Sequence, residues 1–284
     1  MSIVDCHCHI LSPDTDRYPR APLGGKQSVW ATERPLTAEQ LLEQMDQAGI
    51  DQAVLVQATT AYGYDNSYVL DSAHRFPDRF VAVGTMDPLG PGAADRLTEG
   101  VEAGLSGVRL FTTGSTVSEQ GLWFADEATD EFWAAATAAH LPVCLQLRLG
   151  PETAPVLAGL LQHHPDAVVL LDHCGYPDVR TSPVDAAAQL TPLAAYAGLH
   201  LKLTHRTLEG LHDQGGAAAQ FLDPVLASFG AERIAWGSNC PAAEQPLPDL
   251  VTLATDVLEL VGPRDRESIL AGSSRRLYPA LSTS

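Results

Sequence analysis

Two histidines stand one residue apart in Val4-Asp5-Cys6-His7-Cys8-His9. Alternate side chains of an extended strand share a face, so His7 and His9 point the same way, with Asp5 deeper on that side and Cys6 and Cys8 turned from it. Two imidazoles so placed can hold one metal ion or one substrate oxygen between them. Two core histidines satisfied by hydrogen bonds would give the same pattern. A third imidazole, His173, follows in Leu170-Leu171-Asp172-His173-Cys174-Gly175, where the glycine lets backbone or ligand come close. Gly237-Ser238-Asn239-Cys240-Pro241 adds the amide of Asn239 just before a proline that cannot extend a sheet. Arg109 lies among apolar neighbours in Gly107-Val108-Arg109-Leu110-Phe111. A guanidinium there needs an anionic partner, either an internal carboxylate or one on a substrate.

These groups do chemistry only if the fold gathers them. Eight short runs rich in β-branched or apolar residues, 3–7, 53–57, 80–85, 107–111, 142–147, 167–172, 199–203 and 233–237, alternate with helix-patterned stretches. The helical stretches include 37–48, 131–139, 154–162, 217–227 and 250–260. In the first of them Thr37 and Gln40 have capping-box spacing, and Leu41, Leu42 and Met45 mark one apolar face. Alternation of this kind predicts a parallel sheet with crossover helices. Eight units predict an α/β fold, a single (β/α)8 TIM barrel over residues 1–284, with reactive groups at the C-terminal strand ends. The stretch 11–35, rich in Pro and Gly, is too long for an ordinary βα connection and forms an extended first loop over the mouth. Its Trp30 serves either as a lid or as a contact in a homo-oligomer.

The chain has 284 residues and a formal net charge of −18, which weighs against nucleic acid as a partner. With 45% hydrophobic and 18% charged residues it can bury a large core. No apolar run approaches the ~18 residues of a membrane span, and the N-terminus lacks the pattern of a secretory signal. Five cysteines without a regular framework point to reduced thiols in a cytoplasmic protein. Alternation sends Cys6, Cys8, Cys174 and Cys240 into the strand–helix layer and Cys144 toward the barrel interior.

Taken in order, several segments resemble the amidohydrolase superfamily, in particular its branch related to 2-pyrone-4,6-dicarboxylate lactonase and sugar lactonases. They are Val4-Asp5-Cys6-His7-Cys8-His9, Tyr64-Asp65-Asn66-Ser67-Tyr68, Phe76-Pro77-Asp78-Arg79-Phe80 and Gly107-Val108-Arg109. Asp172-His173-Cys174-Gly175-Tyr176-Pro177, Leu201-Lys202-Leu203-Thr204, Gly237-Ser238-Asn239-Cys240-Pro241 and Ile269-Leu270-Ala271-Gly272-Ser273 continue the likeness. The resemblance implies a barrel enzyme that adds water across a small lactone, ester or amide, with an eighth-strand acid as base toward the water.

Two positions depart from that pattern. Asn239 stands where the family usually carries Asp, and Gln146 where metal-dependent members place a His. An amide can orient water but does not take its proton, and Gln146 is a poorer ligand than imidazole for zinc. His7, His9 and His173 would still give three nitrogen ligands to one divalent metal, zinc by preference. The resembled branch also implies members that work without metal, the histidines donating hydrogen bonds to the carbonyl, and this reading is taken first. One of His7, His9 or His173 then replaces the missing base, because imidazole titrates near working pH; Asp87, at the end of the third run, is the reserve base. Arg109, Arg148 and Lys202 could bind a substrate carboxylate, although Lys202 could instead pair with an acidic strand residue and Arg148 lie on the rim. His205 and Arg206 are expected in a loop after the seventh run, near enough to reach substrate. Asp65 reads as a helix cap.

The expected function is opening of a small carboxylated lactone or ester. A non-hydrolytic lyase, decarboxylase or isomerase is the alternative, as is a ligand-binding homologue altered by Asn239.

Overall fold

A computed structural model describes residues 2–113 and 121–282. Eight strands, β1 (Val4–Cys8), β2 (Gln52–Val56), β3 (Phe80–Thr85), β4 (Leu105–Phe111), β5 (Val143–Gln146), β6 (Val169–Leu171), β7 (Leu199–Thr204) and β8 (Ile234–Gly237), form one sheet. Each pairs in parallel with its sequence neighbour, so the order is that of the chain. Strand β8 returns to β1 through backbone bonds from Asn239 to the His7 carbonyl (2.8 Å) and from His9 to the Cys240 carbonyl (2.7 Å). The (β/α)8 barrel is thus closed at its upper rim by the residues the sequence marks as reactive.

Gly237 makes that closure sterically feasible. A Cβ added to it would lie 2.7 Å from the His7 Cβ and 3.0 Å from the His7 nitrogen, a separation that real side chains do not tolerate.

The helices form where patterning placed them, within a few residues. Ala38–Ala48 starts on Thr37, and the reciprocal Thr37–Gln40 capping box is present. Leu41 and Met45 are buried on its inner face, while Leu42 is half-buried. Asp130–Ala138, Thr153–His163, Ala219–Phe229 and Leu247–Leu258 correspond to the other four stretches. None of the described helices is long and apolar enough to cross a membrane.

Inside the barrel, Val4, Cys6, Val54, Val56, Val83, Cys144 and Leu170 pack together with Leu277 and Tyr278 of the C-terminal segment. A second apolar layer between strands and helices holds Cys8, Cys174 and Cys240. Cys6 therefore corrects the expectation: it faces the interior, not the helices. The reason is a register irregularity in β1 between Asp5 and Cys8. A bulge places one extra residue and reverses the alternation beyond it, so Cys6 and His7 both face inward. The same bulge moves Asp5 from the cavity to the β1–β8 seam. There its Oδ1 accepts the backbone N–H groups of His7 (3.0 Å) and Ser238 (2.8 Å).

Candidate active site

A cavity of about 260 Å³ opens at the C-terminal ends of the strands, lined by His9, Trp30, Arg109, Gln146, Arg148, His173, Tyr176, Arg206 and Asn239, with smaller residues of the β2 and β4 ends. Among the described residues that line it there are three arginines and no carboxylate. The sequence-predicted residues His9, His173, Asn239, Arg109, Gln146 and Arg148 thus meet in one place. His7, Lys202 and His205 are buried and stand outside this lining.

Below the cavity floor is a charged cluster that supports it. The Asp172 carboxylate meets Lys202 Nζ through Oδ1 at 2.9 Å and Arg109 Nε through Oδ2 at 2.7 Å. Burial opposes ionisation of Asp172, but the two cations outweigh it and hold its carboxyl well below the ordinary range. Burial likewise disfavours charge on Lys202, and Asp172 reverses the balance, lifting it above its usual value. The internal partner foreseen as an alternative for Arg109 and Lys202 is therefore Asp172. Direct contact of Lys202 with a substrate is not where the geometry puts it. Replacing Asp172 with Ala leaves two buried cations without a counterion and is expected to cost about 3–5 kcal/mol. Urea unfolding measures this, and a loss below about 1 kcal/mol would contradict the arrangement.

Arg109 also organises the wall. Its Nη2 donates to Gln146 Oε1 (2.5 Å), and Gln146 Nε2 donates to the Tyr176 hydroxyl (2.8 Å). Both ends of Gln146 are engaged, so its oxygen is committed to Arg109. The guanidiniums of Arg148 and Arg206 lie 4.7 Å and 6.0 Å from the Tyr176 ring centroid, and the ring tilts against His173 (4.9 Å). Sequence reasoning missed Tyr176, although Tyr176-Pro177 directly follows a segment it singled out.

The histidines differ in their surroundings. His7 Nε2 lies 3.2 Å from His9 Nε2, and His9 Nδ1 lies 2.8 Å from the Val56 carbonyl. Trp30 stacks on His9 at 5.3 Å and lines the cavity with it. His173 Nδ1 meets Thr204 Oγ1 at 2.8 Å, which leaves Nε2 for the cavity. Burial depresses the basicity of all three; His9 is brought down to about 3, and His7 and His173 fall well below the usual range. Each is neutral at pH 7.

Backbone strain concentrates here. His173, Cys174, Tyr176 and Asn239 have φ of 56°, 53°, 60° and 61°, the left-handed region that costs non-glycine residues roughly 1–3 kcal/mol each. Gly175, at φ +73°, belongs to the same turn, and a Cβ on it would meet Leu149 Cβ at 2.8 Å.

Three further expectations resolve plainly. His205 begins the helix His205–Gln214 instead of lying in a loop, and burial takes it down to about 4. Asp87 accepts the Leu89 N–H in the turn after β3 and is absent from the cavity lining, which matches a turn-forming role. Asp65 is not the cap of the helix Ser67–Arg75, whose N-cap is Asn66 without a side-chain cap bond; one residue earlier, it accepts the Ser67 N–H at 2.9 Å in the turn that leads in.

The family model described as amidohydrolase matches residues 4–280. The chain belongs to the amidohydrolase family. Comparison with curated proteins gives no match. Among solved structures, this amidohydrolase resembles a Pseudomonas putida protein described as a 2-pyrone-4,6-dicarboxylic acid hydrolase, at TM-score 0.78 and 23% identity over 98% of each chain. A Burkholderia multivorans amidohydrolase solved with bound zinc has TM-score 0.76 and 21% identity, covering 98% of this chain and 99% of that one. A Rhizobium 2,6-dihydroxybenzoate decarboxylase has TM-score 0.68 and 18% identity over 98% and 99%. These identities speak for a shared fold.

For a metal, the 3.2 Å between His7 Nε2 and His9 Nε2 is a spacing two ligands of one ion would also show. A third ligand does not converge with them: among the described residues, the group of three ligand atoms within 4.8 Å of one another is Asp130, His163 and His164 on the outer helices. As these side chains stand, the three imidazoles do not bring three ligand atoms within that spacing, although the His173 ring centroid lies 5.3 Å from that of His7.

Proposed function

We propose that this amidohydrolase opens a small carboxylated lactone or ester without a resident metal. What carries the reading is the cavity lining: three arginines and no carboxylate among its described residues, in a protein of formal net charge −18. Arg148 and Arg206, both near the Tyr176 ring and both lining the cavity, supply the charge for the substrate carboxylate, which one arginine can take with two parallel hydrogen bonds. Arg109 and the Asn239 amide present donors toward the scissile carbonyl, where a preorganised N–H stabilises the developing oxyanion.

His173 is the base in this scheme. When its Nδ1–H donates to Thr204, Nε2 carries a lone pair into the cavity and can take a proton from water as the water attacks. The same proton can then pass to the leaving oxygen. His7 stands behind His9, so its N–H reaches a substrate only by giving up His9.

Asn239 orients the attacking water but does not deprotonate it. Asn239→Asp is expected to raise hydrolysis of a carboxylated lactone by about tenfold or more, within the ~10²–10⁴ that a positioned base supplies. The carboxylate would act as a second base beside His173; steady-state rates check this, and an unchanged kcat/KM would count against a water held at residue 239. Asn239 equally favours a second reading, a lyase or decarboxylase that activates no water, for which the same substitution would bring no gain.

A further inference from the structure

Lys202 lies under the histidines, touches no cavity surface, and has no task in the hydrolysis just described. Its surroundings nevertheless determine the hydrogen-bond direction through the site. An ammonium has three N–H groups and no lone pair; Nζ is hydrogen-bonded to His7 Nδ1 at 3.0 Å and to Cys144 Sγ at 3.3 Å, and is ion-paired with Asp172 Oδ1 at 2.9 Å. His7 Nδ1 must accept. A neutral imidazole carries one proton, so that of His7 is on Nε2, aimed at His9 Nε2 3.2 Å away.

The far end of the chain is fixed as well. The Val56 carbonyl can only accept, so His9 Nδ1 donates to it at 2.8 Å and His9 Nε2 is left with a lone pair for the His7 proton. One sequence of donations, Lys202 to His7 to His9 to Val56, satisfies every group. It has no alternative direction, because one end is a pure donor and the other a pure acceptor.

We infer that Lys202 is a positioning residue that locks His7 in its Nε2–H tautomer and so excludes a divalent cation from the His7–His9 pair. A cation on His7 Nε2 would require the proton on Nδ1, head-on against the ammonium, and would sit close to two buried cations whose counterion, Asp172, they already share. The inference concerns the histidines of the proposed hydrolysis, and its test needs no turnover.

Histidine-labelled protein reports the tautomer through ¹⁵N NMR, with the His7 resonances assigned by their loss in His7→Asn. Wild type is expected to show His7 protonated on Nε2. In Lys202→Met the ammonium is gone, and Asp172 Oδ1, 3.6 Å from His7 Nδ1, becomes the nearest partner. The proton is then expected on Nδ1, leaving Nε2 bare beside His9.

Zinc affinity of Lys202→Met, titrated with zinc ion alone, should rise by roughly 10–100-fold, the usual weight of an outer-shell partner. The comparison is made in a His163→Ala background, so that the Asp130–His163–His164 group on the outer helices does not contribute. Lys202→Arg keeps a pure donor and should retain the wild-type tautomer, which also separates this role from simple packing.

A wild-type His7 protonated on Nδ1 overturns the inference, and this result does not depend on any variant folding. So does Lys202→Met with the tautomer and zinc affinity unchanged.

Discussion

Acidification is expected to remove most of the stability of this protein between pH 6.5 and about 4. Five buried or largely buried histidines, His7, His9, His173, His200 and His205, have basicity depressed by burial, to about 3 for His9 and about 4 for His200 and His205. In the unfolded chain each returns to the ordinary value near 6.5. Below that pH the unfolded state binds protons that the folded state refuses, so stability falls as pH falls. Each group contributes up to about 1.4 kcal/mol per pH unit until its folded value is reached. Several such groups together consume a large share of the ~5–15 kcal/mol of a typical domain. Asp5, raised by burial, works in the opposite direction, one group against five. Asp172, held low by its two cations, becomes relevant only below the ordinary aspartate range, where its protonation removes the counterion of Lys202 and Arg109. Urea midpoints from pH 7.5 to 4.5 check the slope, and a constant midpoint between pH 7 and 5 would contradict the burial of neutral imidazoles.

The second large effect is on turnover. His173→Ala removes the imidazole whose Nε2 faces the cavity while leaving the Asp172 ion pairs in place. Loss of a positioned general base costs about 10²–10⁴ in kcat. KM should change little, because the arginines that take the carboxylate are separate from it. Burial holds His173 well below its usual range, so the wild-type rate should stay flat from pH 8 through 6 and decline only in more acidic solution. A rate that follows a group near 6.5 would point to a solvated histidine elsewhere.

Some of this architecture is legible in residue types alone. The run 80–85 predicts a strand, and the structure has β3 at Phe80–Thr85. Strand β6 stops at Leu171, not at residue 172, because His173 and Cys174 adopt left-handed backbone. Nothing in Asp172-His173-Cys174 announces that conformation; it is imposed by the site. The inward pair His7 and His9 was legible from alternation. The positions of Asp5 and Cys6 were not, because the register irregularity arises in the pairing of β1 with β2 and the Asp5 carboxylate is held by Ser238, more than 200 residues away in sequence.

Charge partners were legible only as needs. Arg109 among apolar residues demanded an anion, and its own strand could not say that Asp172 supplies it and shares it with Lys202. The Arg148–Tyr176–Arg206 stack joins residues from the ends of three strands. Pairing of that kind is a property of the barrel mouth, not of any local pattern.

The central claim is that a neutral His173 activates water against a small lactone held by its carboxylate. Hydrolysis of a panel of carboxylated lactones, each also supplied with the carboxylate masked as its methyl ester, by wild type and His173→Ala tests it directly. At least one free-acid lactone should be opened by wild type, with its masked ester a much poorer substrate and the His173→Ala rate lower by about 10²-fold or more. Turnover that is indifferent to His173→Ala, or that favours the masked esters, would contradict it.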